Sequence, residues 1–380
     1  MEEAGFGKVQ LPHKTPTPSS SAMQITTCSD ASGRSVTFSS KKFHATALAG
    51  LLPIAHIARS LNLFKAAKEV LSDAVPSKRN TLYSPELMFE QRLLALAAGY
   101  EDLNDHDELF HDPGFTGALG TANMAISATL CRFENGFDRH SINALNETLL
   151  SAFIDADRRL GLLPRIRRKK YRCLFLDVDS TYIKLYGNQE KKSYNGHYQC
   201  CCLAPVLCYL HGYPIAVYGA ASTSDARKVL EHYLPRLLKR IQKAFPDYII
   251  VLRADSGFNS NALIETCQKL SAHYIMGFPP IKAAQQAIYS KGLKYAKRKQ
   301  AKRYTTAGTA AQIIGATDWN AKSWNQRVIA RKRFDRRTCQ LDLRLIQTSI
   351  ACTKDSAKEG YAGELSLITI SDMYEKVYCG

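Results

Sequence analysis

The chain has 380 residues, a length that fits about two or three domains, and 45% of them are hydrophobic, enough for a sizeable core. No run of about 18 consecutive apolar residues occurs, which excludes a predicted membrane span. Residues 1–10 lack the apolar segment of a secretory signal. The formal net charge is +17, from 51 Lys and Arg against 34 Asp and Glu. Because basic side chains that neutralise phosphates release counterions, this excess favours a nucleic acid as partner.

The 11 cysteines contain no two matching C-x2-C pairs, so a structural zinc site is not predicted. Cys200, Cys201 and Cys202 are consecutive. On a strand their side chains alternate between the two faces, which prevents them from converging easily on one metal. The cysteines therefore favour buried, reduced thiols in a cytoplasmic protein.

The N-terminal part of the chain divides into a predicted tail and a predicted helical domain. Residues 1–42 are rich in Ser, Thr, Pro and Gly, which predicts a flexible tail. Residues 43–165 carry apolar residues at helical spacing, and we expect an all-helical domain for DNA binding or assembly. One of its helices has a clear start, because Ser84 is a favourable N-cap and Pro85 a favourable first residue.

Residues 166–278 show a different period, with short apolar runs rich in β-prone residues. Their predicted order is β-β-β-α-β-α-β, and the second strand is predicted to run unbroken through 198–210. A turn at His211 and Gly212 follows, and the second helix is predicted to be capped by Asn259 or Ser260. This order favours a ribonuclease-H-like α/β core with a mixed sheet, and no Gly-rich phosphate loop follows any strand.

Residues 279–338 interrupt the core pattern with a basic, β-containing insertion, and residues 339–380 are predicted to be the end of the core. From Lys282 to Arg303 there are eight Lys and Arg and no acid. The residues predicted to contact phosphates in the insertion are Lys297, Arg298, Lys299, Arg331, Lys332 and Arg333. A further basic run, Arg168, Lys169 and Lys170, is either a solvated charge cluster or a phosphate contact. Trp324, like Trp319, predicts either stacking on an unpaired base or a core aromatic.

Two acids stand out because each ends a predicted buried strand. Asp179 ends the first strand of the core and Asp255 ends the fourth. Two carboxylates brought together at strand ends repel each other unless a cation lies between them. Mg2+ prefers such hard oxygen ligands, and a pair of ions can activate a water and stabilise the leaving 3′ oxygen of a phosphodiester. The alternative is that each Asp is only a turn or cap residue.

Several motifs together resemble the DDE transposases of bacterial insertion sequences. They are LDVDST, YNGHYQCCC, LRADSGF, ATLCRFEN, YEKVYC and AAGYEDLNDHDEL. Within the IS-four-like superfamily they are most similar to the group numbered thirteen-eighty, and the resemblance extends from about residue 30 to the end. It implies a ribonuclease-H-like core with a β-rich insertion, and an Asp-Asp-Glu site that holds two Mg2+ ions, for which Mn2+ can substitute. The implied partners are the element's terminal inverted repeats, target DNA and a second copy of the chain, in the bacterial nucleoid.

Residue by residue, the resemblance assigns the first metal-binding Asp to Asp179 and the second to Asp255. Asp177, on the same strand face, is the alternative for the first, and Arg253 is a candidate DNA contact. The family places the Glu in a Tyr-x-x-Arg-x-x-x-Glu pattern, in which Tyr378 matches the Tyr and the sequence ends two residues later. We therefore expect a truncated chain with little or no strand cleavage. The alternative functions are a non-catalytic DNA-binding derivative and a stand-alone ribonuclease-H-like nuclease.

Overall fold

The structure is a computed structural model. It describes residues 25–29, 35–38, 46–74, 82–163, 173–187, 192–196, 198–219, 221, 223–279, 294–299, 311–321, 324–335, 340–350 and 378. The chain divides into two compact units, Met1–Ile142 and Asn143–Gly380. None of the helices in the described ranges is long and apolar enough to cross a membrane.

In its described residues, the first unit is helical apart from one two-stranded antiparallel sheet. Its elements are β1 (Ile25–Ser29), β2 (Ser35–Phe38), α1 (Leu51–Ser60), α2 (Leu63–Ala74), α3 (Pro85–Ala97), α4 (Asp105–Leu109), α5 (Pro113–Leu119) and α6 (Ser127–Glu134). The helical character predicted for this region is confirmed. The paired strands β1 and β2 lie within the segment predicted as a tail, whose residues 1–24 are outside the described residues.

Local signals in the sequence explain where these helices begin. The Ser84 hydroxyl accepts a hydrogen bond from the Leu87 backbone N–H at 3.2 Å, as expected for the N-cap of α3. The Asp112 carboxylate caps α5 in the same way, by accepting from the Phe115 N–H at 2.8 Å. Between α1 and α2, Asn62 adopts a φ of +58° and ends the first helix. Leucines and alanines of α1, α3 and α5 then form one buried cluster around Phe115.

The second unit begins within α7 (Arg139–Leu160) and contains the large sheet. Its further elements are β3 (Cys173–Ser180), β4 (Ile183–Lys184), β5 (Ser193–Asn195), β6 (Cys200–Leu203), β7 (Val206–Leu210), β8 (Tyr213–Tyr218), α8 (Ala226–Ala244), β9 (Ile249–Ala254), α9 (Asn261–Lys269), β10 (His273–Phe278), β11 (Lys294–Lys299), β12 (Ala311–Ala321), β13 (Trp324–Asp335) and β14 (Gln340–Thr348). A short 3-10 turn, Ser256–Phe258, follows β9.

The large sheet has nine strands in the order β11-β12-β13-β14-β10-β9-β3-β7-β8. Strand β7 is antiparallel to both of its neighbours, β3 and β8, whereas β9 is parallel to β3 and to β10. If the core strands β3, β7, β8, β9 and β10 are numbered 1 to 5 along the chain, their order across the sheet is 3-2-1-4-5. Strand 2 is antiparallel to strand 1. This is the strand arrangement of a ribonuclease-H-like fold, and the predicted fold class is confirmed.

One face of the core strands is covered by α8, α9 and the C-terminal part of α7. Leu174, Leu176 and Val178 alternate along β3 and are buried against this layer. Each fully buried side chain of this size contributes about 1.5–3 kcal/mol relative to leaving it exposed. The other face of β3 carries Asp177 and Asp179, since side chains two positions apart share a face.

The prediction of a single strand through 198–210 is wrong. The segment forms two strands in two different sheets: β6 belongs to a small sheet ordered β4-β6-β5, and β7 belongs to the large sheet. Pro205 lies between them and has no N–H to donate to a ladder, while its carbonyl accepts from the Thr181 N–H at 3.2 Å. The turn at His211 and Gly212, both with positive φ, is confirmed.

The basic insertion extends the core sheet. Strands β11, β12 and β13 form an antiparallel meander that joins β14, and β14 pairs with β10 at the edge of the core. The prediction of β structure in this region is confirmed. Pairing between β14 and β10 was not predicted, because it depends on contacts between segments distant in sequence.

Candidate functional site

Asp179 and Asp255 lie at the ends of two adjacent parallel strands. The register of β3 and β9 pairs Asp177 with Arg253 and Val178 with Ala254, so the next pair in this register is Asp179 and Asp255. Neighbouring strands are about 4.8 Å apart. Both aspartates are exposed. The fold thus brings together the two acids that the sequence singled out.

Each carboxylate accepts a hydrogen bond from one backbone N–H that follows it in the chain. Oδ1 of Asp179 accepts from the Ser180 N–H at 2.8 Å, and Oδ1 of Asp255 accepts from the Gly257 N–H at 2.9 Å. The cap role considered for Asp255 is therefore real, because it caps the 3-10 turn. It uses only one oxygen, since no other residue of the described ranges donates a hydrogen bond to either Oδ2. One oxygen of each acid remains available to a ligand.

This donor set fits a divalent cation of the Mg2+ type. Two exposed carboxylates at neighbouring strand ends supply hard oxygen ligands, and a cation between them offsets their repulsion. Mg2+ keeps several waters and commonly takes only one or two carboxylates from a protein. Within the described residues, no group of three or more His, Cys, Asp or Glu is arranged to hold a metal. The described part of the site is therefore a two-carboxylate, open coordination site.

Asp177, the alternative ligand, has a different partner. Arg253 donates from Nε to Oδ1 of Asp177 at 2.5 Å and from Nη2 to Oδ2 at 3.0 Å. The guanidinium carbon also lies 5.5 Å from the centroid of the Phe175 ring. Because this pair neutralises the charge of Asp177, the geometry favours Asp179 as the ligand. It also occupies the guanidinium of Arg253, which the sequence suggested as a DNA contact.

Gly277 places β10 close to the turn that carries Asp255. A Cβ added at Gly277 would collide with the Ser256 backbone N, would lie 2.9 Å from the Ser256 Cα, and would lie 2.9 Å from the Tyr378 hydroxyl. Only a residue without a side chain fits there. The Tyr378 hydroxyl therefore lies beside the turn that follows Asp255.

Asn259 is a site-positioning residue that sequence reasoning missed. Its Nδ2 donates to the Gly277 carbonyl at 3.0 Å and to Oε1 of Gln347 at 2.9 Å. These bonds connect the turn after Asp255 to β10 and β14. The sequence suggested only a helix cap for Asn259, but the cap of α9 is Ser260, whose Oγ accepts from the Leu263 N–H at 3.2 Å. No local signal distinguishes such a long-range amide contact from a cap.

The insertion strands line up basic residues in register. Lys297, Ile314, Arg331 and Arg344 form one row across β11–β14, and Lys299, Gln312, Arg333 and Asp342 form another. Residues paired in register, and residues two apart on a strand, share a face of the sheet. Arg331 and Arg333 therefore share a face, whereas Lys332 and Arg298 are on the other.

The same registers relate the basic rows to the acids. Extending the β3–β9 and β9–β10 registers by one position gives the acid row, which is Asp179, Asp255, Gly277, Ile346, Ile329 and Ala316. Arg331 is two positions past Ile329, on the same face and in the direction in which β3 and β9 end. Arg344, which sequence reasoning did not select, is exposed and directly opposite Arg331.

Of two other sequence predictions, one is placed away from the acid row and one lies outside the described residues. Trp324 begins β13 opposite Ala321, five positions before Ile329 and on the far side of the acid row. At about 3.3 Å per residue this is a distance of about 17 Å along the strand. Arg168, Lys169 and Lys170 lie outside the described residues.

Comparison with known proteins identifies the family. Residues 29–366 match the family described as Transposase DDE domain group 1. No curated protein matches the chain. Among solved structures, a piggyBac transposase synaptic complex with hairpin DNA shows 11% identity and a TM-score of 0.36, over 78% of this chain and 60% of that one. A Mos1 transposase paired-end complex with the left transposon end shows 9% identity and a TM-score of 0.20, over 53% and 60%.

Structural likeness at these scores does not establish a fold, and the fold assignment depends on the strand order. The chain spans 60% of the length of the piggyBac transposase chain and 60% of the Mos1 chain that it matches. The family match covers most of the sequence and includes both aspartates. Transposases with a DDE domain generally use divalent metal ions, in agreement with the donor set at Asp179 and Asp255. The chain belongs to the DDE transposase family.

Proposed function

We propose that the chain acts on the DNA of an insertion sequence of the thirteen-eighty group, binding its terminal inverted repeats and target DNA in the bacterial cytoplasm. The observation that carries this proposal is the placement of Asp179 and Asp255 as the next in-register pair at the ends of β3 and β9. The net charge of +17 and the basic rows of the insertion support a polyanionic partner. A homodimer is part of the proposal, since two element ends have to be joined.

In the proposed reaction, water attacks a phosphodiester at the element end and displaces the 3′ oxygen as a free 3′-hydroxyl. That hydroxyl then attacks a phosphodiester of the target DNA and displaces the 3′ oxygen of the target strand. Bound Mg2+, or Mn2+ in its place, supplies Lewis-acid stabilisation of the attacking and leaving oxygens. Asp179 and Asp255 would be the residues that hold the cation. The Asp177–Arg253 pair fixes the two strands immediately before these acids and leaves Asp179 as the unpaired acid of β3. Ser180, the last residue of β3, and Ser256, the first residue of the 3-10 turn, each follow one of the acids, and neither is proposed as a nucleophile.

The second candidate function is DNA binding without cleavage. The observation that favours it is the pair of basic rows in β11–β14, because basic residues there suit a phosphate backbone whether or not the strand is cut.

Iron-directed cleavage of the polypeptide tests the metal site. Fe2+ replaces Mg2+ at such sites, and with ascorbate and peroxide it cuts the backbone beside its ligands. We expect cuts near Asp179 and Asp255 that excess Mg2+ suppresses. Asp179→Asn and Asp255→Asn should each remove both cuts, whereas Glu265→Gln, a change of the same kind at an exposed position of α9, should not. Unchanged cuts in the Asp variants would disprove the assignment.

DNA assays test the activity. The substrate is the DNA that flanks the coding sequence, compared with unrelated DNA of equal length in Mg2+ or Mn2+. We expect the protein to prefer the flanking DNA. Cleavage that disappears in Asp179→Asn would support catalysis at the acid pair, whereas preferential binding without cleavage would support the second candidate function. Equal binding to both DNAs would overturn the proposal of specific end recognition.

A further inference from the structure

The small sheet that follows Asp179 exposes an unusual set of aromatic side chains. Tyr182 is 47% exposed, Tyr186 is 72% exposed and Tyr194 is 61% exposed. Exposed aromatic rings that lie together on a surface commonly mark a binding site. The metal and phosphate roles proposed above use none of them.

Two ring contacts organise this surface. The rings of Tyr182 and Tyr198 stack with their centroids 4.2 Å apart and an interplanar angle of 23°. Nζ of Lys184 lies 5.2 Å from the centroid of the Tyr186 ring. Tyr182 and Lys184 are two residues apart on extended backbone and so share a face. We call Tyr182, Lys184, Tyr186 and Tyr198 the tyrosine strip.

The tyrosine strip is fixed close to the acid pair. Tyr182 follows Asp179 by three residues, which limits the distance between their Cα atoms to about 10 Å. The segment that begins after Asp179 and contains Tyr182 is held by a hydrogen bond from the Thr181 N–H to the Pro205 carbonyl at 3.2 Å. A second bond joins the Leu185 N–H to the Cys201 carbonyl at 2.9 Å. The strip is therefore a built surface beside the site and not the tip of a free loop.

Its chemistry suits an unpaired nucleic acid strand. An exposed aromatic ring offers a π-face on which any base can stack, and a neighbouring cation attracts the backbone phosphates. Charge complementarity favours this occupant, because residues 181–203 contain three Lys and one Glu. Trp324, the stacking candidate from the sequence, lies about 17 Å along β13 from the acid row.

We propose that the tyrosine strip is a stacking platform for unpaired bases of the DNA strand whose phosphate lies at the Asp179–Asp255 pair. The proposal rests on the proposed function. Tyr182, stacked on Tyr198, presents its outer ring face to the first base, and Tyr186 takes a further base while Lys184 binds the phosphate between them.

A pair of DNA ligands tests the platform. One is a blunt duplex, and the other is the same duplex with a short 3′ single-stranded extension that carries 2-aminopurine. We expect Tyr186→Ala and Tyr182→Ala to weaken binding of the extended duplex by about 5- to 150-fold and to leave the blunt duplex nearly unchanged. Quenching of 2-aminopurine fluorescence by the unmodified protein should be lost in the same variants.

Tyr186→Phe and Tyr182→Phe are the matched controls, because they keep the ring and remove only the hydroxyl. They should bind like the unmodified protein. A Phe variant as weak as its Ala counterpart, or an equal loss for both DNA ligands, would overturn stacking. Ala variants that bind the extended duplex normally would also overturn it and leave the proposed function intact. Failure of the unmodified protein to bind either DNA would instead overturn the proposed function, and the platform with it.

Discussion

Arg253 and Asp177 form a two-point ion pair between β9 and β3, with Nε–Oδ1 at 2.5 Å and Nη2–Oδ2 at 3.0 Å. It occupies the same face as Asp179 and Asp255, two positions earlier on each strand. About a quarter of each side chain is exposed, 25% for Arg253 and 26% for Asp177. A geometry of this kind is both stronger and more directional than a single contact. The pair therefore holds the two strands in the register that aligns the candidate ligands.

Asp177→Asn should lower the free energy of unfolding by about 1–3 kcal/mol, because it leaves the partly buried guanidinium without its charged partner. Urea unfolding of Asp177→Asn, Arg253→Gln and the double variant measures this. The double variant should lose less than the sum of the single losses, since each single change already breaks the pair. Iron-directed cuts near Asp179 should persist in folded Asp177→Asn. Normal stability combined with loss of the cuts would instead identify Asp177 as the metal ligand.

Gly277→Ala should destabilise the protein and displace the turn that carries Asp255. The added methyl would overlap the Ser256 backbone, which cannot move without shifting the turn. Overpacking of this kind costs about 1–3 kcal/mol. Thermal unfolding and the iron-directed cuts near Asp255 measure the two effects.

Gly219→Ala is the matched control, because a Cβ there meets nothing within 4 Å. It should leave both the unfolding transition and the cuts unchanged. If Gly277→Ala behaves like Gly219→Ala, the close approach of β10 to the Ser256 turn is not a constraint on the site.

The sequence was sufficient to find both acids but not the Asp177–Arg253 ion pair that lies beside them. Asp179 and Asp255 each end an apolar, β-prone run, which is a local pattern. The Asp177–Arg253 contact joins residues 76 positions apart, and register between such distant strands depends on the packing of α8 and α9. Pro205 indicates the end of a strand, because proline is disfavoured within a sheet. The apolar residues on both sides of Pro205 nevertheless favoured one continuous strand, so the break between β6 and β7 was not predicted.

The basic residues of the insertion show a second limit. Arg331, Lys332 and Arg333 are one cluster in sequence, and all were expected to contact phosphates. They do not all lie on one face, because successive residues of β13 alternate between the two faces of the sheet. Only the register of β13 with β14, and of β14 with β10, shows which of these faces also carries the acid row.

Arg331→Ala and Arg333→Ala should weaken DNA binding more than Lys332→Ala does. All three changes remove one positive charge from neighbouring positions, but Arg331 and Arg333 are on the face that carries the acid row. Each of these two variants should lower the slope of log K against log salt concentration by about one unit. Lys332→Ala, the matched control, should change the slope little. Equal slopes for Arg331→Ala and Lys332→Ala would show that the face does not matter.

His106 in the helical unit gives a pH-dependent stability that is independent of DNA. It is fully buried, and its Nδ1 lies 3.1 Å from Nε2 of Gln91. Gln91 is itself fixed, because its Nε2 donates to the Ala125 carbonyl at 2.7 Å and its Oε1 accepts from the Ala125 N–H at 2.9 Å. Burial, followed by the nearby charge of Arg92, lowers the pKa of His106 from 6.5 to about 4.

This pKa shift fixes the sign and the window of the effect. Well above pH 6.5 the imidazole is neutral in both states and contributes no pH dependence, whereas as the pH falls through 6.5 towards about 4 the unfolded chain binds a proton that the folded one excludes. The free energy of unfolding should therefore fall as the pH falls through this window, and this contribution should level off below it. The pKa values of Asp107 and Asp138 are lowered from 3.8 by hydrogen bonds from Ser127 and Ser141, so their losses come mainly at lower pH.

Urea unfolding followed by helical circular dichroism, from about pH 7 to about pH 5, measures the contribution of His106. His106→Gln should flatten the decline over this range, whatever its absolute stability, because it removes the titrating group and keeps a polar neighbour for Gln91. His111→Gln is the comparison variant, because it makes the same replacement at an exposed histidine of the same unit. A decline of equal slope in the unmodified protein and in His106→Gln would show that the buried imidazole does not govern the acid sensitivity of the helical unit.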